Sequence, residues 1–298
     1  MLKLKNVTKN FGKMTAVSGL SFELEAGEVL GLVGQNGAGK STTFKLILNF
    51  LQPTKGTLTF AGHKLGPDDL NDIGYMSEER GLYLDMTIEQ QVVYFARLHG
   101  LTTKEAKKRL DSWLEKLAVK GQANSKIKEL SKGNQQKVQL ITTMIHEPKL
   151  LILDEPFSGL DPVNVAALIA VIREAKAKGA AVIFSSHNMQ NVTEISDKVL
   201  MLVNGHKRLY GPLEQVRANF GRQKLYLEGN FDWESMARKV VSIKDDHPGK
   251  ILTFENESAA KQFLAQMKDN PKVAGYRLLE PSLDDIFKLV LSEARADK

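Results

Sequence analysis

This chain predicts an α/β fold, a parallel sheet covered by helices with a small α+β domain after it, on three observations. Two short runs, Val29–Val33 and Leu150–Leu153, are continuously apolar, as strands buried on both faces are. Each ends in a polar loop that gives way to a helical pattern, the order found in doubly wound sheets. Past Gly221 the pattern becomes strand, helix, strand, strand, helix, strand, the ferredoxin-like arrangement. A chain of 298 residues is long for one compact domain, so two are expected, 1–220 and 221–298.

The elements follow in order. Residues 1–7 and 21–25 read as strands, the second turning Phe22 and Leu24 inward, and Gly27 marks the turn into Val29–Val33. A helix is expected over 42–51 and a strand over 72–76. From Met86 to about Glu147 the pattern is helical: Ile88, Val92, Phe95, Ala96 and His99 share a face, a charged amphipathic helix covers 103–118, and another covers 134–146. After Leu150–Leu153 comes a helix with Asp161 as its N-cap, Pro162 in its first turn and Gly179 beyond its end. Strands recur at 180–185, 199–203 and 207–210. In the tail, strands are expected at 224–228, 240–244, 250–254 and Val273–Leu279, and helices at 232–239, 258–269 and 283–295; Trp233 and Met236 read as core.

The loop between Val33 and the first helix is Gly34-Gln35-Asn36-Gly37-Ala38-Gly39-Lys40-Ser41, a complete G-x-x-x-x-G-K-S, followed by Thr42. Its glycines let backbone N–H groups close around phosphate oxygens, and the positive end of the following helix adds to that field. Lys40 reaches the β- and γ-phosphates of a nucleoside triphosphate, and the Ser41 hydroxyl ligates Mg²⁺. A chance Gly-rich turn is the plainer alternative. Asp154 and Glu155 follow Leu150–Leu153 at the strand end where such sheets bind ligands. Asp154 is placed to hold Mg²⁺, directly or through water, and Glu155 to orient and deprotonate an attacking water. The alternative is that the two acids only end a strand.

Between these motifs lies Leu130-Ser131-Lys132-Gly133-Asn134-Gln135-Gln136. It resembles the signature sequence of ABC-type ATPase subunits, with Lys132 and Asn134 replacing the commoner Gly and Gln. Other stations of that family follow in order over residues 1–215. Phe11 lies where an aromatic stacks on adenine, although it could equally pack on the sheet. Ser158-Gly159-Leu160-Asp161 looks like the loop that crosses a dimer interface. His187, in Ser185-Ser186-His187, looks like the histidine that senses the γ-phosphate; a lone His after a strand is otherwise structural. The resemblance implies a P-loop NTPase core with an antiparallel β subdomain and a helical subdomain at about 86–147. Ser131 and Gly133 precede a helix, so a hydroxyl and free N–H groups stand at a positive end and form a second anion site. In the family two subunits pair head to tail and each signature completes the partner's site. Ser131 also reads as a plain N-cap.

One station departs from the pattern. Where ABC subunits carry a Gln that reaches Mg²⁺ and the attacking water, this chain has Ser77-Glu78-Glu79-Arg80. Glu78 takes that place, and a carboxylate still binds Mg²⁺; an exposed loop acid is the alternative. His63, His99, His146, His206 and His247 show no metal-ligand spacing.

Composition bounds the rest. The chain has no Cys, which excludes disulfides and thiol chemistry, and no apolar run approaches the ~20 residues of a membrane span. Met1-Leu2-Lys3-Leu4-Lys5 alternates like a strand, not like a signal peptide. The net charge of +6 is spread out and is no nucleic-acid footprint. The resemblance therefore implies a subunit that binds and hydrolyses ATP with Mg²⁺. It would act as a homodimer or with a related ATPase subunit, on the cytoplasmic face of the membrane. There it would drive a separately encoded permease, most like bacterial sodium, multidrug or antimicrobial-peptide exporters. The competing class is a soluble ABC ATPase acting on a ribosome, DNA or a protein assembly. Such proteins usually carry two ATPase domains or a long coiled-coil insert, and neither pattern occurs in this sequence.

Overall fold

A computed structural model describes residues 1–79 and 81–296, the last two in backbone only. Arg80 of the Ser77–Arg80 loop therefore lies outside the described residues. The chain divides into two compact units, Met1–Tyr210 and the residues from Gly211 onward.

The first unit runs β1 (Leu2–Phe11), β2 (Met14–Leu24), β3 (Val29–Val33), α1 (Lys40–Ile47), β4 (Lys55–Phe60), β5 (His63–Lys64), β6 (Ile73–Met76), α2 (Ile88–Leu98), α3 (Thr103–Lys116), α4 (Lys132–Met144), β7 (Leu150–Leu153), α5 (Pro162–Ala177), β8 (Ala181–Ser185), α6 (Met189–Ile195), β9 (Lys198–Val203) and β10 (His206–Pro212). One sheet holds all ten strands in the order β5-β4-β1-β2-β10-β9-β3-β8-β7-β6. From β9 to β6 neighbours are parallel, while β1 pairs antiparallel with β2 and β4. Burial explains the split. Every residue of β3, β7 and β8 is buried, as strands covered on both faces require, whereas β1 and β2 carry exposed polar residues along their length. The sheet thus delivers the C-terminal ends of β3, β7 and β8 side by side, with β7 in register against β8 from Leu150↔Ala181 to Leu153↔Phe184.

The structure extends the sequence reading in places. The first two strands run far beyond 1–7 and 21–25, because register shifts between Leu4, Val7, Lys9 and Asn10 break the alternation that would have revealed them. β4 and β5 were not anticipated. α1 ends at Ile47 instead of 51, and Asn49 turns left-handed beyond it (φ 56°). The helical stretch resolves into α2, α3 and α4. Thr87 and Thr102 cap the first two of these with reciprocal bonds to Gln90 and Glu105. Ile88, Val92 and Ala96 of α2 are buried, as are Ala106 and Leu110 of α3.

The second unit runs α7 (Leu213–Phe220), β11 (Lys224–Gly229), α8 (Trp233–Ala237), β12 (Ser242–Asp246), β13 (Gly249–Thr253), α9 (Glu257–Met267), β14 (Val273–Leu279) and α10 (Leu283–Ala296). Its sheet has the order β12-β13-β11-β14 with all neighbours antiparallel, so the two βαβ units interleave as in ferredoxin-like folds. Leu225, Leu227, Leu252, Phe254 and Ala260 form its core, with Trp233 and Met236 packed on it. Contacts group α7 with this unit, whereas composition places the change of character at Gly221.

Candidate functional site

Three strand ends build the first cluster. After β3 the chain enters Gly34–Gly39, and the tight path needs glycine at its end: Gly39 has φ 104°, and a Cβ there would stand 2.6 Å from the carbonyl oxygen of Ala16. Gly39 is the N-cap of α1, so the first N–H groups of that helix, those of Lys40, Ser41 and Thr42, have no partner within it. Gln35, Asn36 and Gly37 are exposed at the loop crest, and Ala38 closes it by donating its N–H to the Gln35 carbonyl at 3.0 Å. Lys40 is buried, and its Nζ donates to the carbonyls of Gly34 at 2.7 Å and Gln35 at 3.3 Å. The ammonium thus lies folded over its own loop, in the concavity that a phosphate chain fits.

β7 supplies the acids. Asp154 is 6% exposed, and its Oδ2 accepts from the Ser41 hydroxyl at 3.5 Å. Two hard oxygens, one from the first turn of α1 and one from the end of β7, therefore face one point, a donor set that fits Mg²⁺. Glu155 departs from the strand with a left-handed backbone (φ 48°), which swings its carboxylate to Nδ1 of His187 at 2.8 Å. The His187 ring is otherwise exposed. Ser185, at the end of β8, bonds both acids: its hydroxyl donates to Asp154 Oδ1 at 2.6 Å and accepts the Glu155 N–H at 2.8 Å. Glu78 stands exposed on the loop after β6. Its charge and that of Asp154 act on one phenol: burial, then the two carboxylates, push the Tyr75 hydroxyl up to about 12. The structure brings Lys40, Ser41, Asp154, Glu155 and His187 together, whereas among the described residues no hydrogen bond or ion pair joins Glu78 to them.

Ser131, Gly133, Asn134 and Asp161 stand apart from these. Ser131 caps α4, accepting from the Asn134 N–H at 3.4 Å and from its Nδ2 at 3.0 Å. The Asn134 Oδ1 accepts in turn from the Lys120 N–H at 3.0 Å. Asp161 caps α5 by accepting from Asn164, and that backbone N–H holds its carboxyl below the usual range. Among the described residues no hydrogen bond or ion pair joins Ser131, Gly133 or Asn134 to the Lys40 loop. Buried ties run underneath instead: Gln136 donates to the Pro156 carbonyl and Gln139 to that of Ser77. Phe11 ends β1 with its ring exposed and the Lys9 ammonium 5.3 Å from its centroid. An apolar patch follows the Glu78 loop, where Tyr83, Leu84, Tyr94 and Leu98 are exposed and Tyr83 meets Tyr94 edge-on at 6.3 Å.

Comparison with known proteins gives this geometry a family. Residues 17–158 match the ABC transporter family. The chain is 40% identical over 289 residues to an ABC transporter ATP-binding protein of Bacillus subtilis, YhaQ, covering 96% of this chain and 97% of that one. This chain is an ABC transporter ATP-binding subunit. Residues 211–290 match the C-terminal domain of DrrA1-3-like ATP-binding proteins. The subunit is also 31% identical over 294 residues to the Nod factor export ATP-binding protein I of a Rhizobium species, covering 96% and 95% of the two chains. A solved ATP-binding subunit of an ABC transporter superposes with a TM-score of 0.69 at 33% identity, covering 74% of this chain and 93% of that one. The subunit is an ATPase built on the P-loop fold of ABC cassettes. No helix among its described residues is long and apolar enough to cross a membrane.

Ser185 is a residue of this cluster that the sequence reading did not pick out. Ser185 lay within the quoted Ser185-Ser186-His187, but nothing in the spelling separates its hydroxyl from that of Ser186.

Proposed function

We propose that this ATPase works with Mg²⁺ held by Ser41 and Asp154, and that Glu155 is its general base. One observation carries the assignment: Asp154 and Ser41 face each other while Glu155, held by His187 and Ser185, stands beside them. When bound, Mg²⁺ neutralises phosphate charge. Lys40 and the first N–H groups of α1 receive the β- and γ-phosphates, Phe11 stacks on the adenine, and Glu155 orients a water and takes its proton. His187 holds the Glu155 carboxylate through Nδ1 and keeps Nε2 for the γ-phosphate. Glu78 reaches the metal side of the site from its loop.

We further propose that Ser131, Gly133, Asn134 and Asp161 serve the nucleotide of a second subunit, a copy of this chain or a relative, in a head-to-tail dimer. The apolar patch at Tyr83, Leu84, Tyr94 and Leu98 then takes a helix of a separate permease at the cytoplasmic membrane face. The exposed rings suit such a helix, and their place just beyond Glu78 couples docking to the site. The Nod factor export protein favours export as the direction. Replacing Glu155 with Gln tests the chemistry: ATP binding should persist while hydrolysis falls, and parental turnover would remove Glu155 from the base role.

A further inference from the structure

The hydroxyl of Ser185 stands at a junction that the general scheme leaves unexplained. It is fully buried, at the last position of β8, where the parallel ladder with β7 has just ended. Asp154 still donates its N–H to the Met76 carbonyl of β6 at 2.8 Å, but at Glu155 the chain leaves the strand, and its N–H needs a partner outside the ladder. The Ser185 oxygen takes that N–H at 2.8 Å and gives its single proton to Oδ1 of Asp154 at 2.6 Å. A hydroxyl offers one donor and acceptor lone pairs, so one atom satisfies both acids at once. Oδ1 of Asp154 is thereby committed inward, and Oδ2 is the oxygen left on the Ser41 side.

We propose that Ser185 is a positioning residue for the metal and the base. It fixes which carboxylate oxygen of Asp154 meets the cation, and it pins the backbone turn that presents Glu155. The inference rests on the reading of Asp154 and Ser41 as metal ligands. Outer partners of this kind orient a ligand without touching the metal, and their loss typically costs ~10–100-fold in metal affinity. Nearby Ser186 does not duplicate the role: its hydroxyl engages the backbone of Asn188.

The test uses the full chain with a non-hydrolysable ATP analogue and Mn²⁺, read by electron paramagnetic resonance. Ser185→Ala and Ser185→Cys should each weaken Mn²⁺ binding to the nucleotide complex roughly tenfold or more. Analogue binding in EDTA should stay within about twofold of the parent, since Lys40 and the loop are untouched. The Cys variant keeps a side-chain atom with a weaker S–H donor at the position, so it carries the test should Ala fail to fold. Asp154→Asn serves as the reference. If it binds Mn²⁺ as the parent does, the metal reading itself fails. If it loses Mn²⁺ while either Ser185 variant keeps parental affinity, the Ser185 proposal alone is overturned. Equal loss of analogue binding in EDTA would also overturn it, because the defect would then be general.

Discussion

The loop cluster around Lys40 and the signature cluster around Ser131 are both helix N-termini with a hydroxyl and glycine at hand, yet they are built differently. At Lys40 the surroundings are buried and cross-linked: Asp154 and Ser185 are almost without exposure, and strand ends from three parts of the chain meet there. At Ser131 the serine is exposed, and its side-chain bonds close locally on Asn134. The first cluster has acids and a cation that act on one another. The second has donors and a positive helix end, and among the described residues the bonds of the Ser131 and Asn134 side chains reach no acid. The contrast teaches that a phosphate-binding terminus can be finished by its own fold or left open for another chain's ligand, and we place Ser131 in the second class.

Breaking the first cluster should give the largest effects. Glu155→Gln is expected to lower the hydrolysis rate ~10²–10⁴-fold, the usual contribution of a positioned general base, measured as steady-state phosphate release. Lys40→Ala should weaken ATP binding ~10–100-fold by calorimetry, because hydrogen bonds to charged groups are worth about 1.5–3 kcal/mol each. Equal affinity of that variant and the parent would remove Lys40 from the phosphates.

Smaller effects sharpen the second region, through the two ends of α4. Beyond the C-terminal end, His146 stacks on His99 at 3.7 Å. Burial, then the neighbouring His99 ring, lowers His146 from 6.5 to about 4. Asp72 opposes that shift and Arg109 adds to it. The fold thus favours the neutral ring. Its contribution is complete above about pH 6.5 and is lost as the pH falls toward 4. Melting temperatures between pH 7 and 4 should therefore drop more steeply for the parent than for His146→Phe. At the N-terminal end, Ser131→Ala should cost only about 1 kcal/mol of stability by denaturant unfolding, the value of an N-cap, while Ser131→Asn keeps it. A cost well above ~2 kcal/mol would mean that Ser131 supports its own chain beyond capping.

What the sequence disclosed follows from how the parts are held. The Lys40 loop, the acids after Leu153 and the caps at Ser131 and Asp161 were legible because each is a contiguous stretch whose residue types state their chemistry. The order of elements after Gly221 showed for the same reason. The full length of β1 and β2 did not, because bulges break the alternation. Ser185 did not, because its partners lie about thirty residues away and appear only when β7 and β8 are paired. His99 and His146 showed only that they lack metal-ligand spacing, and the packing of helix ends is what brings their rings together.

The central claim, that Ser131 serves a second subunit, is tested most directly by the mass of the ATP-bound protein. Glu155→Gln in Mg²⁺ and ATP should run by light scattering at twice the 33.1 kDa chain mass. Adding Ser131→Arg should return it to the single-chain mass with ATP still bound, since the cation fills the partner's γ-phosphate seat and leaves its own Lys40 untouched. A Glu155→Gln/Ser131→Arg protein that dimerises with ATP as fully as Glu155→Gln alone would contradict the account.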